Sequence, residues 1–377
     1  MSAGPLEPSA TATPHPVVTE PHSWSSLTSA LIRGEDLAAA DADWAMDRVL
    51  TGEATPVQLA GFLVALRSKG ETAAEVAALV TNMLKHAVRV DIDESVGPTV
   101  DTCGTGGDRS HSVNISTMSA VVVAAAGAPV VKHGNRAASS ESGSADVLEA
   151  LGVAIDLGAD DVAQCLVEAG IAFCFAPIFH PEMSNAAVAR RELGIATVFN
   201  VLGPLANPAR PAAQVVGCAD LRMAPVMAHA LLERGTRAIV VRGEDGLDEF
   251  SINAPTRVWD ATGSGVEEFL IDAVDLGIVR AAPDALRGHD AAFNAGVARA
   301  VISGERSAAL DPVRDSVLLN AAAALVVHDV ARGVAMVGSL SERMAAALPR
   351  AREAIDSGAA GALLERWITV SSRLAGR

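Results

Sequence analysis

Apolar positions divide the chain into two textures. From Trp24 to about Val90 they recur at helical spacing. Thr55 and Pro56 supply an N-cap followed by proline, and Leu59, Phe62, Leu63 and Leu66 then fall on one face until Gly70. That pattern predicts an amphipathic helix with a glycine stop. Thr72 and Glu75 stand at capping-box spacing ahead of Val76, Leu79, Val80, Met83 and Leu84, which predicts a further helix. Residues 24–93 are therefore assigned to a small all-helical domain.

After Val90 the pattern changes to short β-branched runs, GPTVDTCG, APVVKHG, IAFCFA, AQVVGCA and RAIVVRG, each followed by a polar glycine loop and a helical stretch. Strands alternating with helices predict an α/β domain whose mostly parallel sheet is flanked by helices on both faces. Such sheets receive ligands at the carboxyl ends of their strands. The large domain is assigned to 94–179 and 211–377, with helical patterns from about Ala291 to the end. The stretch between, about 180–210, carries its own helix and ends in Gly-Pro and Asn-Pro. It reads as an insertion that returns to pack on the first helices. Residues 1–23 are rich in Pro, Ser, Thr and Ala and lack both Lys/Arg and an apolar core; they read as a disordered tail rather than a signal peptide.

Composition narrows the partners. Half of the 377 residues are apolar but only 3% are aromatic, so the core must be built from small aliphatic side chains. A net charge of -16 with no compensating basic patch opposes nucleic acid and anionic membranes as partners. Apolar runs such as 121–131 are broken by Gly127 and Pro129 and fall short of the about 20 residues that span a bilayer. Cys103, Cys165, Cys174 and Cys218 show neither a CxxC pair nor metal spacing, which suits reduced thiols in a cytoplasm.

The densest chemistry is CGTGGDRSHSVNISTMS, Cys103 to Ser119. Val100 to Cys103 reads as a strand end, Gly104 to Asp108 as a tight loop and Asn114 as the cap of a helix beginning near Ile115. Glycines allow close backbone approach and a helix N-terminus favours anions, so the stretch suits a phosphate. A purely structural turn would use the same glycines. Spaced as GxGxxG from Gly104, the last glycine position holds Arg109, and no GK[ST] follows, so neither the dinucleotide pattern nor a P-loop applies. A second loop of similar character follows the next strand: Lys132, His133, Gly134, Asn135 and Arg136, then serines at 139, 140, 142 and 144. Two such loops would hold two phosphate groups. Asp248 and Glu249, after a strand at Ile239–Val241, are adjacent carboxylates suited to a hard cation beside phosphates, although a surface acidic loop would look the same. Of Arg190 and Arg191 at most one can face a site, since adjacent helical residues point apart; a guanidinium there would favour a carboxylate. His111, His133 and His180 lack any nucleophile elbow or HExxH partner.

GTGGD, NIST, KHGNRAASS, RRELGIATVFNVLGPLANPA and GLDE, in this order and spacing, resemble the anthranilate phosphoribosyltransferase family of tryptophan biosynthesis over everything but the tail. That resemblance implies a small helical domain and a larger α/β domain of the nucleoside phosphorylase type. It implies a homodimer through the helical domain, and transfer of phosphoribose from 5-phosphoribosyl 1-pyrophosphate (PRPP) to the amine of anthranilate with Mg2+, two ions per site. By position, the PRPP residues would be Gly104, Gly107, Asp108, Ser112, Asn114, Ser116, Thr117, Lys132, His133, Gly134, Asn135, Arg136, Ala137, Ala138, Ser139, Ser140 and Ser144. Gly104, Asn135 and Arg190 would meet anthranilate; Ser116 would touch one Mg2+ and Asp248 with Glu249 the second; Lys132 would stabilise the leaving group. The rivals are a nucleoside phosphorylase of the same fold, which Asn135 with Arg190 and the Leu-Gly-Pro-Leu at 202–205 disfavour, and a nucleic-acid-binding relative, which the charge disfavours.

Overall fold

In a computed structural model the protein is described over residues 22–137, 141–282 and 284–377. The chain opens with four helices, α1 (Trp24–Ile32), α2 (Ala39–Leu50), α3 (Pro56–Lys69) and α4 (Ala73–His86). The caps fall where the sequence puts them. Thr55 accepts from Gln58 N while Gln58 Oε1 accepts from Thr55 N at 3.0 Å, and Thr72 and Glu75 form the same box on α4. Glu75 does more than cap. Fully buried, its carboxylate also accepts from Leu37 N at 2.8 Å and from Lys69 Nζ at 2.8 Å, so one charge ties α4, α3 and the loop before α2 together. The expected tail of 1–23 overlaps the described residues at His22 and Ser23, and both are held: His22 Nδ1 meets Asp41 at 2.8 Å and Ser23 caps α1.

The α/β part runs β1 (Val100–Gly104), α5 (Ile115–Ala125), β2 (Val130–Gly134), α6 (Ser144–Leu151), α7 (Ala159–Ala169) and β3 (Ile171–Phe175). After an insertion holding α8 (Ala176–Phe179), α9 (Ala187–Leu193) and α10 (Phe199–Leu205) come β4 (Ala213–Gly217), α11 (Met223–Glu233), β5 (Arg237–Gly243), β6 (Thr256–Ala261) and β7 (Glu267–Ile271). Helices α12 (Ala291–Ile302), α13 (Asp311–Ala331), α14 (Leu340–Asp356) and α15 (Ala359–Leu374) finish the chain. The sheet order is β3-β2-β1-β4-β5-β6-β7, parallel through β5 and antiparallel beyond it. The five parallel strands are those the sequence predicts. Strands β6 and β7 escape that reading because a hairpin edge needs no crossover helix, and four of the five β7 positions are exposed, which erases the alternation of a half-buried strand.

One face of the sheet packs on α5 and α13, the other on α11 and the insertion. Helix α13 is buried over most of its length and carries the run of four alanines at 321–324 among Val and Leu, so small side chains let it lie close on the strands. The insertion returns to the first helices: α9 packs on α3 and α10 on α4. Asn185 Nδ2 donates to Leu50 O at 2.8 Å, and His86 bridges Asp47 and Glu182 at 3.0 and 2.7 Å. Among the described residues, no helix is long and apolar enough to cross a membrane.

The chain leaves β1 toward β2 and β3 and later continues on the other side of β1 with β4 and β5. This reversal opens a crevice at the carboxyl end of β1, where open α/β sheets bind ligands.

Candidate active site

A cleft of about 650 Å³ fills that crevice. Its walls are the loops after β1, β2 and β5 together with the insertion at Pro177, His180, Met183, Arg190, Phe199 and Gly203. Strand ends β1 and β4 finish in Gly104 and Gly217, and the chain at Asp248 crosses directly over them. A Cβ on Gly217 would stand 1.5 Å from Asp248 O, and one on Gly104 2.4 Å from Asp248 Oδ2. Only glycine permits that crossing, which brings the acidic pair onto the glycine loop. Asn320 of α13 fixes the crossing from behind: Phe250 N donates to its Oδ1 at 3.0 Å and its Nδ2 donates to Phe250 O at 3.3 Å.

In consequence the carboxylates occupy donors that the sequence assigns to phosphate. Asp248 Oδ2 accepts from Gly106 N at 2.7 Å, and Glu249 Oε1 accepts from Ser116 N, in the first turn of α5, at 3.1 Å. Burial, then the charge of Asp108, pushes the Asp248 carboxyl up to about 7 although the residue still faces the cleft. Burial and Asp248 together hold Glu249 well above the usual carboxylate range. Asp108 adds an Oδ2 that is buried with no hydrogen-bond partner. Three acids crowd one corner, and beneath them lies Lys132, 1% exposed, donating to Thr102 O and, at 3.3 Å, to Ser116 Oγ. The corner fits a hard cation. Among the described residues no three ligating side chains converge on one point, so such a cation would need substrate oxygens to complete its shell.

Most of the residues picked from sequence line the cleft: Gly104, Gly107, Asp108, Ser112, Asn114, Ser116, Lys132, His133, Gly134, Asn135, Arg136, Ala137, Ser144, Arg190, Asp248 and Glu249. Ala138, Ser139 and Ser140 lie outside the described residues. Four expectations change. Thr117, one step further along α5, turns into the core at 1% exposure and does not line the cleft. Asn114 holds the N-cap position but its side chain caps nothing; it donates to Ser142 O at 3.2 Å instead. Arg136 is not a free phosphate ligand, since its Nη1 pairs with Asp146 at 2.8 Å and Glu149 at 2.5 Å on α6. His133 meets Gly203 O of the insertion at 3.1 Å, with its ring centre 5.3 Å from that of His180. Burial and the charge of His180 push His133 down to about 3, so its imidazole is neutral at pH 7 and holds the insertion rather than moving protons.

Arg190 faces the cleft and Arg191 does not line it. The Arg190 guanidinium sits 5.5 Å from the Phe199 ring centre, and no carboxylate of the described residues pairs with it. The residue is exposed overall, yet protein atoms around the guanidinium lower its pKa. Arg109 and His111 have φ of 59° and 50°; left-handed backbone at a non-glycine residue costs about 1–3 kcal/mol, and it bends the glycine loop around the cleft mouth.

Sequence reasoning also missed Asp101, which lies on β1 at 0% exposure and accepts from His133 N at 3.3 Å and Asn207 Nδ2 at 2.9 Å. It anchors the end of the insertion to the sheet. Burial pushes it up from 3.8 to about 6 against the pull of Lys132 and Asn207. A raised carboxyl contributes stability that is full below its unfolded value and lost as pH rises through the folded one. Against Asp101→Asn, whose amide resembles the protonated acid, the wild type should therefore lose on the order of 2–3 kcal/mol of relative stability between pH 4 and pH 7. Denaturant melts at several pH values test this; parallel curves would contradict it.

A mostly parallel sheet thus carries a helical bundle at its flank and a polar, acid-rich cleft at its switch point. The α/β-domain model of the Glycosyl transferase family matches residues 96–361 and its helical-bundle model residues 25–87. The chain belongs to the anthranilate phosphoribosyltransferase family. It is 55% identical over 349 residues to the anthranilate phosphoribosyltransferase of Salinispora arenicola, covering 92% of this chain and 96% of that one. The crystal structure of the enzyme from Thermus thermophilus superposes with a TM-score of 0.82 at 38% identity, covering 92% and 99% of the two chains. That of the Saccharomyces cerevisiae enzyme in complex with PRPP and Mg gives 0.81 at 27%, covering 93% and 98%.

Proposed function

We propose that this cleft transfers the 5-phosphoribosyl group from PRPP to the amine of anthranilate, giving N-(5-phosphoribosyl)anthranilate and pyrophosphate. The observation that carries the reading is the half-buried Asp248–Glu249 pair set across a glycine loop and a helix N-terminus, in one cleft with Arg190, which pairs with no carboxylate of the described residues. The amine nitrogen forms the new bond to C1 of the ribose as the bond to pyrophosphate breaks, and the amine proton leaves to solvent. An aromatic amine is already neutral at pH 7, so no strong base is needed. The neutral His133 and four buried cysteines, with the Cys103 thiol pushed well up by burial, suit a site without a nucleophile. Gly104, Gly107, Asp108, Ser112, Asn114, Lys132, Gly134, Asn135, Ala137 and Ser144 would hold the donor, and Asn135 with Arg190 the acceptor. Asp248, Glu249 and Ser116 are the groups that would hold Mg2+, two ions in our reading; when bound, the metal neutralises charge that builds on the departing pyrophosphate.

Mixing the protein with PRPP, Mg2+ and anthranilate should consume the anthranilate fluorescence. The loss should require both substrates and stop with EDTA; turnover of phosphate and a nucleoside instead would favour a phosphorylase. Arg190→Ala should mainly raise the anthranilate KM, by about tenfold or more for one lost charged contact, because Arg190 would hold the carboxylate in ground and transition states alike. An unchanged KM moves that role elsewhere.

Reduced thiols suit a cytoplasmic enzyme. The proposed assembly is a homodimer through the helical bundle, where Ile32, Val57 and Val64 stand exposed around a groove of about 1100 Å³ between α1, α3 and α9. Exposed apolar side chains grouped on one face of the bundle suit such a contact, and sedimentation of the full chain distinguishes dimer from monomer.

A further inference from the structure

Helix α12 lies outside the cleft, yet its Asn294 reaches Asn114, which lines it. The side chain is 2% exposed and both ends of its amide are engaged: Oδ1 accepts from His289 N at 2.9 Å and Nδ2 donates to Asn114 Oδ1 at 3.0 Å. Asn114 passes the direction on, its own Nδ2 donating to Ser142 O at 3.2 Å. The chain of amides thus starts on α12, crosses the loop after β1 and ends on the loop after β2.

The segment before α12 grips the same loop. Gly288 N donates to His111 O at 2.7 Å, Val113 N donates to Leu286 O at 2.9 Å, and Ser112 bridges to Arg287. The fit is close: a Cβ on Gly288 would stand 2.7 Å from Asn294 Oδ1 and 3.0 Å from Ser112 O. A buried amide whose acceptor is fixed by a backbone N–H has only one orientation left for its donor. His289 N therefore sets Asn294, Asn294 sets Asn114, and Asn114 holds the two loops at one spacing.

We infer that Asn294 is a positioning residue for the sugar-phosphate donor, acting through Asn114 to hold the two phosphate loops in register. This rests on the PRPP reading above. Asn294→Ala should weaken PRPP binding about tenfold, the effect of one buried hydrogen bond whose loss frees a ligand-bearing loop, while the anthranilate KM changes little. Asn294→Asp should do at least as much, because an acceptor would then face Asn114 Oδ1 and turn that amide over, setting oxygen against Ser142 O.

The test is calorimetric titration of PRPP with Mg2+ into wild type, Asn294→Ala, Asn114→Ala and the double variant, with Asn294→Ser in reserve should alanine fail to fold. If Asn294 acts through Asn114, its substitution adds little once Asn114 is alanine. Full additivity, or wild-type PRPP affinity in a folded single variant, overturns the relay. A wild-type protein that binds no PRPP overturns the donor reading itself, which separates the two failures. A role in stability alone would lower Tm without this selective loss of PRPP affinity or the non-additive cycle.

Discussion

Replacing Lys132 by alanine is expected to slow turnover by about 10²- to 10³-fold, the cost of losing one preorganised group aimed at developing charge. The position of the ammonium sharpens the reason. Lys132 does not stand in the open cleft; it lies under it at 1% exposure, bonded to Thr102 O and Ser116 Oγ, with the Glu249 charge close by. From there it holds the first turn of α5 and supplies positive charge to a corner otherwise crowded by Asp108, Asp248 and Glu249. Removing it leaves those carboxylates without their buried cation, so a fall in Tm is expected alongside the fall in kcat. Lys132→Met, which keeps most of the volume, separates the two effects. An equal rate loss with a smaller Tm loss assigns the rate effect to charge; a near wild-type rate in either variant removes Lys132 from the mechanism.

The parallel strands and the capped helices were legible because their signals are local. Thr55-Pro56, the Thr72–Glu75 box and each β-branched run closed by a glycine loop carry their own instructions within a few residues. The loops that form the cleft were legible for the same reason. What those loops do with their donors was not. That Asp248 would reach Gly106 N depends on chain segments brought together by the sheet reversal beside β1, and Arg136 turns back onto α6 acids 10 and 13 residues further on, beyond any pattern of a few residues. Polar residues in apolar surroundings were the overlooked signal. Asn320 inside VLLNAAAALVV and Asp101 inside TVDTC are polar residues that burial obliges to find partners. Both are anchors, one for the acidic crossing and one for the insertion. Thr117 shows the opposite limit: NIST reads as three equivalent ligands, Asn114, Ser116 and Thr117, but helical geometry turns the last of them into the core.

Asp248→Asn combined with Glu249→Gln should lower activity by at least about 10³-fold, since it removes both charges offered to a cation in the cleft. The same change should leave the ligand-free protein as stable as the wild type or more so, by on the order of 1 kcal/mol. Asn and Gln keep an acceptor for Gly106 N and Ser116 N, so the crossing over Gly104 and Gly217 is preserved. Only the repulsion among three carboxylates in one corner is relieved, and the wild type tolerates that repulsion because burial raises the Asp248 and Glu249 carboxyls. Stability and activity moving in opposite directions is the signature of a site built for a ligand rather than for the fold. The measurements are kcat by anthranilate fluorescence, Tm of the free proteins, and the rise in Tm on adding Mg2+ with PRPP, which should be present in the wild type and absent in the variant. A variant that loses stability and activity together would make the pair a structural bridge across the sheet, and one that keeps its activity would place the cation elsewhere.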